Sequence, residues 1–273
     1  MTSVLSATLK QSVLAASAAV ALAPTVFMLL TALKPQDEYL DNKLGLPRTP
    51  VLEHFQAILG SPEFFRWMGN SAILVVGTVV LSTVIAALAA YAIARMEFRG
   101  RLTLLALCTA LMAVPPVVMV VPLFVLYTQI GLISSFHGAI LIYAALVTPF
   151  SVYLLTTFFR TIPAEMFEAA VMDGASDFMI LTRIVLPLAL PALLTLVIVN
   201  ALWVWNDLLI AVIFLQDDAK RTLMAGIAVF QGRYNNQIPL TMAGMAVASA
   251  PMIILYILFQ RQFVRGLMAG AIK

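Results

Sequence analysis

Five stretches of this chain run without a charge for long enough to bury themselves in lipid. Lys10 to Lys34 encloses 23 uncharged residues, Arg66 to Arg95 28, Arg101 to Arg160 58, Arg183 to Asp207 23, and Arg233 to Arg261 27. A helix needs about 20 apolar residues to cross a bilayer, so these lengths constrain the fold more than any other feature. The 58-residue stretch holds two crossings, with a turn at 131–138 where glycine, serine and histidine collect. The count is six spans, near 11–33, 70–94, 102–128, 138–159, 188–213 and 240–260. The expected fold is all-α: a polytopic membrane protein forming a single transmembrane domain over 1–273.

Composition removes the alternatives. Hydrophobic residues make up 62% of the chain and charged residues 11%, against about 25% charged in an ordinary soluble domain. A soluble monomer of this size has too little interior to hide that much apolar side chain. A soluble enzyme, a disordered tail and a nucleic-acid-binding module are therefore disfavoured. Lys10 and the Ala21-Leu22-Ala23 site resemble a signal peptide, but the apolar run continues to Leu33, so a retained helix is expected. The single cysteine, Cys108, allows neither an internal disulfide nor a zinc cluster, and no metal site is expected.

Six spans put both termini on one side. Lys10, Arg95, Arg99, Arg101, Arg160, Arg183, Arg261, Arg265 and Lys273 share that side; Lys34, Lys43, Arg48, Arg66, Lys220, Arg221 and Arg233 lie on the other. The densest group, Arg95, Arg99 and Arg101, fills one short loop. That loop, and with it both termini, is expected in the cytoplasm. The outward segment 34–69 carries Pro35, Pro47, Pro50 and Pro62, so it should be irregular with short helical turns.

The chain has no P-loop, no H-E-x-x-H and no G-x-S-x-G. No catalytic residue is assigned, and His54 and His137 read as solvated loop residues. Gradient-driven transporters place ionisable groups inside the membrane. Here only Asp207 comes close, near the outer end of span five. Uphill movement would need an energy source in a partner.

The connection between spans four and five, Arg160 to Pro187, is longer than its neighbours and reads as two short helices. Pro163 suits a first helical position, and Glu165 complements the helix dipole. Phe167, Ala170 and Val171 share one face; Glu165, Glu168 and Met172 share another. Gly174 supplies a stop. Ser176 caps a second helix with Phe178, Leu181 and Val185 on one face, ending at Pro187 where span five begins. Ala169, Ala170, Gly174 and Ala175 leave a shallow surface that another protein's backbone can approach. The same amphipathic pattern also fits a hairpin lying on the lipid interface, and the residues alone do not choose.

This segment resembles the EAA motif of ABC-importer permeases: E-A-A, three residues, G, nine residues, I-x-L-P. Glu168, Ala169, Ala170, Gly174, Ile184, Leu186 and Pro187 occupy all seven fixed positions. At average residue frequencies such a coincidence is on the order of 10⁻⁸ per starting point. Ile162 to Glu165, Asp173 to Ala175, Ala90 to Arg95 and Trp205 to Asp207 are similar to carbohydrate-importer permeases, and the tail from Phe263 to Lys273 is similar to that of the second permease of maltose-type systems. That likeness covers nearly the whole chain. It implies that Glu168, Ala169, Ala170, Asp173, Gly174, Ala175, Ile184, Leu186 and Pro187 couple to an ATP-hydrolysing subunit. It also implies a second permease, two copies of the ATPase, an extracytoplasmic solute-binding protein, a sugar substrate and surrounding membrane lipid as partners. ATP and Mg would be bound by the ATPase and not by this chain. The expected location is a bacterial or archaeal cytoplasmic membrane.

Asn200, Trp203 and Asp207 fall on one stripe of span five, with Asn206 beside them. Amides bond sugar hydroxyls and an indole packs on a sugar ring, so these four are candidates for the pathway. Helix–helix hydrogen bonding and an interfacial aromatic belt explain the same residues. Val114-Pro115-Pro116 and Pro122 should kink span three, as a hinge or as packing. The amide-rich loop with Gln231, Arg233, Tyr234, Asn235 and Asn236 corresponds, by the same likeness, to a loop that reaches the binding protein; an ordinary solvated turn is the alternative. The expected function is a sugar-importer permease subunit that catalyses no covalent step. Its rivals are a permease for another solute and an autonomous channel or secondary transporter.

Overall fold

The computed structural model describes residues 2–233 and 237–271, with side chains over 9–229 and 237–261. The described residues are helical, without a strand. In order they form α1 (Thr2–Ala32), α2 (Gln36–Asp41), α3 (Glu53–Leu59), α4 (Pro62–Arg95), α5 (Arg101–Leu111), α6 (Pro116–Gln129), α7 (Phe136–Phe159), α8 (Ala164–Met172) and α9 (Asp177–Ile180). A π-helical turn at Leu181–Val185 leads into α10 (Leu186–Leu188) and α11 (Leu190–Asn206). Then follow α12 (Leu209–Phe214), α13 (Leu223–Arg233) and α14 (Ile238–Ala271).

Within these, Leu9–Ala32, Pro62–Arg95, Phe136–Phe159 and Ile238–Arg261 are long and apolar enough to cross a membrane. Two bent pairs, α5 with α6 at 99° and Asp177–Leu188 with α11 at 77°, raise the number to six if each pair is one span. The 102–128 segment is thus two helices rather than one kinked helix. Pro115 has no N–H to continue α5, and Pro116 after it keeps Pro115 out of the helical region, at φ −64°, ψ 132°. The N–H groups of Ala113 and Val114 fall back on i−3 carbonyls, both at 3.1 Å. Pro122 sits inside α6 without ending it.

The 188–213 segment is interrupted as well. Helix α11 stops at Asn206, and α12 starts three residues later. At its other end the hairpin helix runs past Pro187, and the bend falls at Ala189. Pro187 and Pro191 each withhold an N–H one turn apart, which explains the π turn before the bend and the break at it.

The chain divides into two compact units. The first is Met1–Phe65 with Gly226–Ala250. Its segment 34–54 is held by polar contacts. Lys34, buried, donates from Nζ to the carbonyls of Asn42 (2.6 Å) and Lys43 (3.2 Å). Glu38 accepts from the N–H groups of Arg48 (2.6 Å) and Thr49 (3.2 Å) and from the Thr49 hydroxyl. The Arg48 N–H does most to hold the Glu38 carboxyl below its ordinary value. That staple stays intact as pH falls until the lowered value is reached. His54 is not a solvated loop residue: it is buried in α3 with Nε2 3.0 Å from the Lys34 carbonyl.

The second unit is Arg66–Ala225 with Pro251–Lys273. Helix α7 is its centre, packing against α5, α11 and α12. His137 is exposed in the first turn of α7 and not in a loop. Asn70 fixes the 219–221 connection by donating to the carbonyls of Ala219 (2.9 Å) and Arg221 (2.8 Å). At the start of α7, Ser135 accepts from the Gly138 N–H at 3.0 Å. A Cβ on Gly138 would lie 2.5 Å from the Leu132 carbonyl oxygen and 2.8 Å from Ser135 Oγ. Gly138→Ala is expected to destabilise the protein by about 1–3 kcal/mol, read as a lowered melting temperature in detergent. Gly69→Ala, with nothing within 4 Å of its Cβ, should be neutral or stabilising by up to about 1 kcal/mol.

Candidate functional site

The connection after α7 forms a helical hairpin. Pro163 precedes α8 rather than opening it: it takes the N-cap position at φ −56°, ψ 141°. Helix α8 ends in a Schellman turn. Gly174 adopts φ +78°, its N–H reaches the Val171 carbonyl at 3.0 Å, and the Ala175 N–H reaches back to Ala170 at 2.9 Å. Ser176 then caps α9 by accepting from the Met179 N–H at 3.4 Å. The motif spacing thus corresponds to a physical sequence: helix, left-handed glycine, cap, second helix.

The hairpin has two faces. Ala170 is buried, with Ile180, Leu181 and Val185 from the second limb. Glu168, Ala169, Asp173 and Gly174 are exposed, Ala175 is half-buried, and Ile184 and Leu186 are half-buried with Pro187 exposed. Two members of the apolar faces read from the sequence are exposed. Val171 is 61% exposed and Phe178 68% exposed, beside Met172 at 87%. Phe178 belongs to the first turn of α9, at the exposed tip of the hairpin; Leu181 and Val185, one and two turns on, reach the core.

That core roots the hairpin. Ala86, Ala87, Ala90 and Tyr91 of α4, Val152, Leu155 and Phe159 of α7, and Ala192 and Leu196 of α11 share one apolar cluster with Ala170, Ile180, Leu181 and Val185. Polar contacts reinforce it. Arg95 donates to the carbonyls of Phe159 and Ile162, each at 2.5 Å. Its guanidinium lies 3.8 Å from the centre of the Phe167 ring. The Tyr91 hydroxyl donates to Asp177 Oδ1 at 3.0 Å. In the sequence, Tyr91 entered only through the likeness of Ala90 to Arg95, and Arg95 otherwise only as a loop charge that sets orientation. The physical signal was there: a tyrosine and an arginine one turn apart at the end of an apolar run.

The pathway candidates separate. A cavity of about 600 Å³ lies among α5, α6, α7 and α11, lined mainly by apolar side chains such as Met119, Leu123 and Phe150. Asn200 and Trp203 line it; Asn206 and Asp207 do not. Asn200 is fully buried and donates from Nδ2 to Ser151 Oγ at 2.9 Å. Trp203 is partly exposed and stands edge-on to Tyr143, with ring centres 6.1 Å apart. Asn206 is exposed and donates to the Leu202 carbonyl. Asp207 holds the break after α11: one carboxyl oxygen accepts from the Tyr143 hydroxyl (2.8 Å) and from the N–H groups of Ile210 (2.9 Å) and Ala211 (3.4 Å). Tyr143 and Ser151 were not foreseen, because partners 64 and 49 residues away leave no local pattern.

Of the outer-loop candidates, Tyr234, Asn235 and Asn236 lie outside the described residues. So do the side chains of Gln231 and Arg233, whose backbones close α13. No group of three or more acidic, histidine or cysteine side chains suited to a metal occurs among the described residues.

Comparison with known proteins gives this geometry a setting. The chain is 40% identical over 251 residues to a putative ABC transporter permease protein of Caldicellulosiruptor sp., covering 92% of this chain and 91% of that one. It is 35% identical over 255 residues to the trehalose transport system permease protein SugB of Mycobacterium tuberculosis, covering 93% of each. Its fold matches a chain in the crystal structure of a bacterial ABC transporter involved in the import of the acidic polysaccharide alginate. The TM-score is 0.80 at 24% identity, over 95% of this chain and 96% of that one. Residues 82–268 match the family described as binding-protein-dependent transport system inner membrane component, and the chain belongs to that family.

Proposed function

We propose that this chain is a permease subunit of an ATP-driven importer for sugars, forming half of the pathway across a prokaryotic cytoplasmic membrane. Residues 1–273 act as one transmembrane domain with both termini in the cytoplasm. The observation that carries the reading is the hairpin: its exposed tip presents Glu168, Ala169, Asp173, Gly174, Met172 and Phe178, while its base is locked into α4, α7 and α11. A partner that grips the tip moves the membrane helices. That partner is an ATPase, present in two copies, which binds the ATP and Mg. A similar permease supplies the other half of the pathway and the second hairpin.

In this mechanism ATP-driven closure of the ATPases draws the hairpins together and opens the pathway outward. A solute-binding protein, docked outside with the loop Gln231 to Asn236 among its contacts, releases its sugar. Reopening after hydrolysis releases the sugar inward. Trp203 offers a ring face and Asn200 an amide on the cavity wall. The relatives' substrate, trehalose in one case, supports a sugar over other solutes.

Affinity purification of the tagged chain from native membranes should bring down an ATPase, a second permease and a binding protein. A chain that purifies alone would refute the importer reading. Uptake of labelled trehalose, competed with unlabelled sugars, polyols and sugar phosphates, tests the substrate class: competition by sugars alone is expected, and indifference to all three sends the reading to another solute. Phe178→Asp, which places a charge on the exposed apolar tip, should reduce ATPase recovery at least tenfold, the loss of about 1.4 kcal/mol or more that a central apolar anchor carries.

A further inference from the structure

We propose that Tyr91 and Arg95 form a clasp that makes α4 a third output of the hairpin, beside α7 and α11. They act as positioning residues for transport, and the inference rests on the reading of the hairpin as the lever an ATPase moves. The covalent chain by itself ties the hairpin to two helices: α7 through 160–163, and α11 through the π turn and α10. Helix α4 is remote in sequence and joined only by contacts.

Those contacts are concentrated on one stripe. Tyr91 and Arg95 are four residues apart and face the same way on α4. Arg95 reaches the Phe159 carbonyl at the end of α7, which otherwise takes only a long 3.4 Å turn bond from the Ile162 N–H, and the Ile162 carbonyl in the turn before α8. It also covers the Phe167 ring of α8. Tyr91 reaches Asp177 in the first turn of α9. Two adjacent turns of α4 therefore hold the end of α7, the connecting turn and both limbs of the hairpin. Only a guanidinium combines a fork wide enough for two carbonyls with a flat face for an aromatic ring; an ammonium is a single point charge. Ala86, Ala87 and Ala90, in the turn and a half before Tyr91, are buried small side chains of α4 in the shared cluster. They let the helix come close to its neighbours along the length over which movement is passed.

The clasp predicts a specific defect. Without it the ATPase still binds the exposed tip and still cycles, but α4 no longer follows. The test is the complete assembly, with binding protein, in proteoliposomes, scoring sugar uptake and ATP hydrolysis separately. For Arg95→Ala the ATP hydrolysed per sugar imported should rise by about fivefold or more, the size of an ordinary coupling between sites, with the ATPase still co-purifying. Arg95→Lys should fall between Arg95→Ala and wild type. Tyr91→Phe removes one hydroxyl and leaves the buried ring in place, so its smaller rise guards against a folding defect in the arginine variant. Parallel loss of uptake and hydrolysis in all three variants, or an unchanged ratio, overturns the proposal. Failure of the wild-type assembly to show ATP-dependent uptake overturns the parent reading instead, and the two failures are distinct.

Discussion

Replacement of Gly174 by valine is expected to abolish ATPase capture and uptake. The position holds φ +78°, where an L side chain costs about 1–2 kcal/mol and a β-branched one more. Relaxing that strain would break the turn bonds at Gly174 and Ala175, each worth about 1 kcal/mol. The α8–α9 angle, and with it the presented surface, would then be lost. Nothing lies within 4 Å of where a Cβ at this position would stand, so the isolated chain has room for a side chain. That makes Gly174→Asn the informative partner. Asparagine tolerates the left-handed region, so the asparagine variant should fold with a melting temperature within a few degrees of wild type. If a partner's backbone sits against this glycine, asparagine also blocks docking, and capture is lost from a stable chain. Full uptake by Gly174→Asn would show that the glycine serves the turn alone and that docking occurs elsewhere on the tip.

How much of the fold is legible in the sequence follows the range of each interaction. Helical spans were legible because lipid imposes a length and forbids charge, and both can be counted along the chain. The hairpin was legible because its turn is local: Gly174, Ser176 and the small residues act within a few positions of one another. Breaks were harder. Pro115 and Pro116 marked a kink, but a bend of 99° depends on what each half packs against, not on the prolines alone. The break after Asn206 had no proline or glycine to announce it. It is set by a carboxyl that caps α12 and takes a hydroxyl from α7. Phe178 shares a face with Leu181 and Val185 but lies beyond the core they reach, because periodicity assigns a face without saying where the neighbouring core ends.

The same carboxyl gives the second large effect. Asp207→Leu is expected to lower stability by about 3 kcal/mol or more, since it strands three donors, the Tyr143 hydroxyl and the N–H groups of Ile210 and Ala211, in surroundings with little water to satisfy them. Asp207→Asn keeps an acceptor oxygen in place, so it should cost only about 1 kcal/mol, the difference between a charge-assisted and a neutral bond. Tyr143→Phe should fall near the asparagine variant, because it removes one bond and retains the ring against Trp203. Melting of the purified protein in detergent measures all three. The double variant Asp207→Asn with Tyr143→Phe should cost less than the sum of its parts, since the two groups share one bond. Additive losses would mean that the oxygen serves α12 alone. Uptake carries the argument from stability to function: Trp203 lines the cavity and leans on Tyr143, and Tyr143 is fixed by Asp207. A variant that loosens Asp207 should therefore raise the KM for sugar even at temperatures where the chain remains folded. An unchanged KM in Asp207→Asn and Tyr143→Phe would confine this contact to holding the helix break.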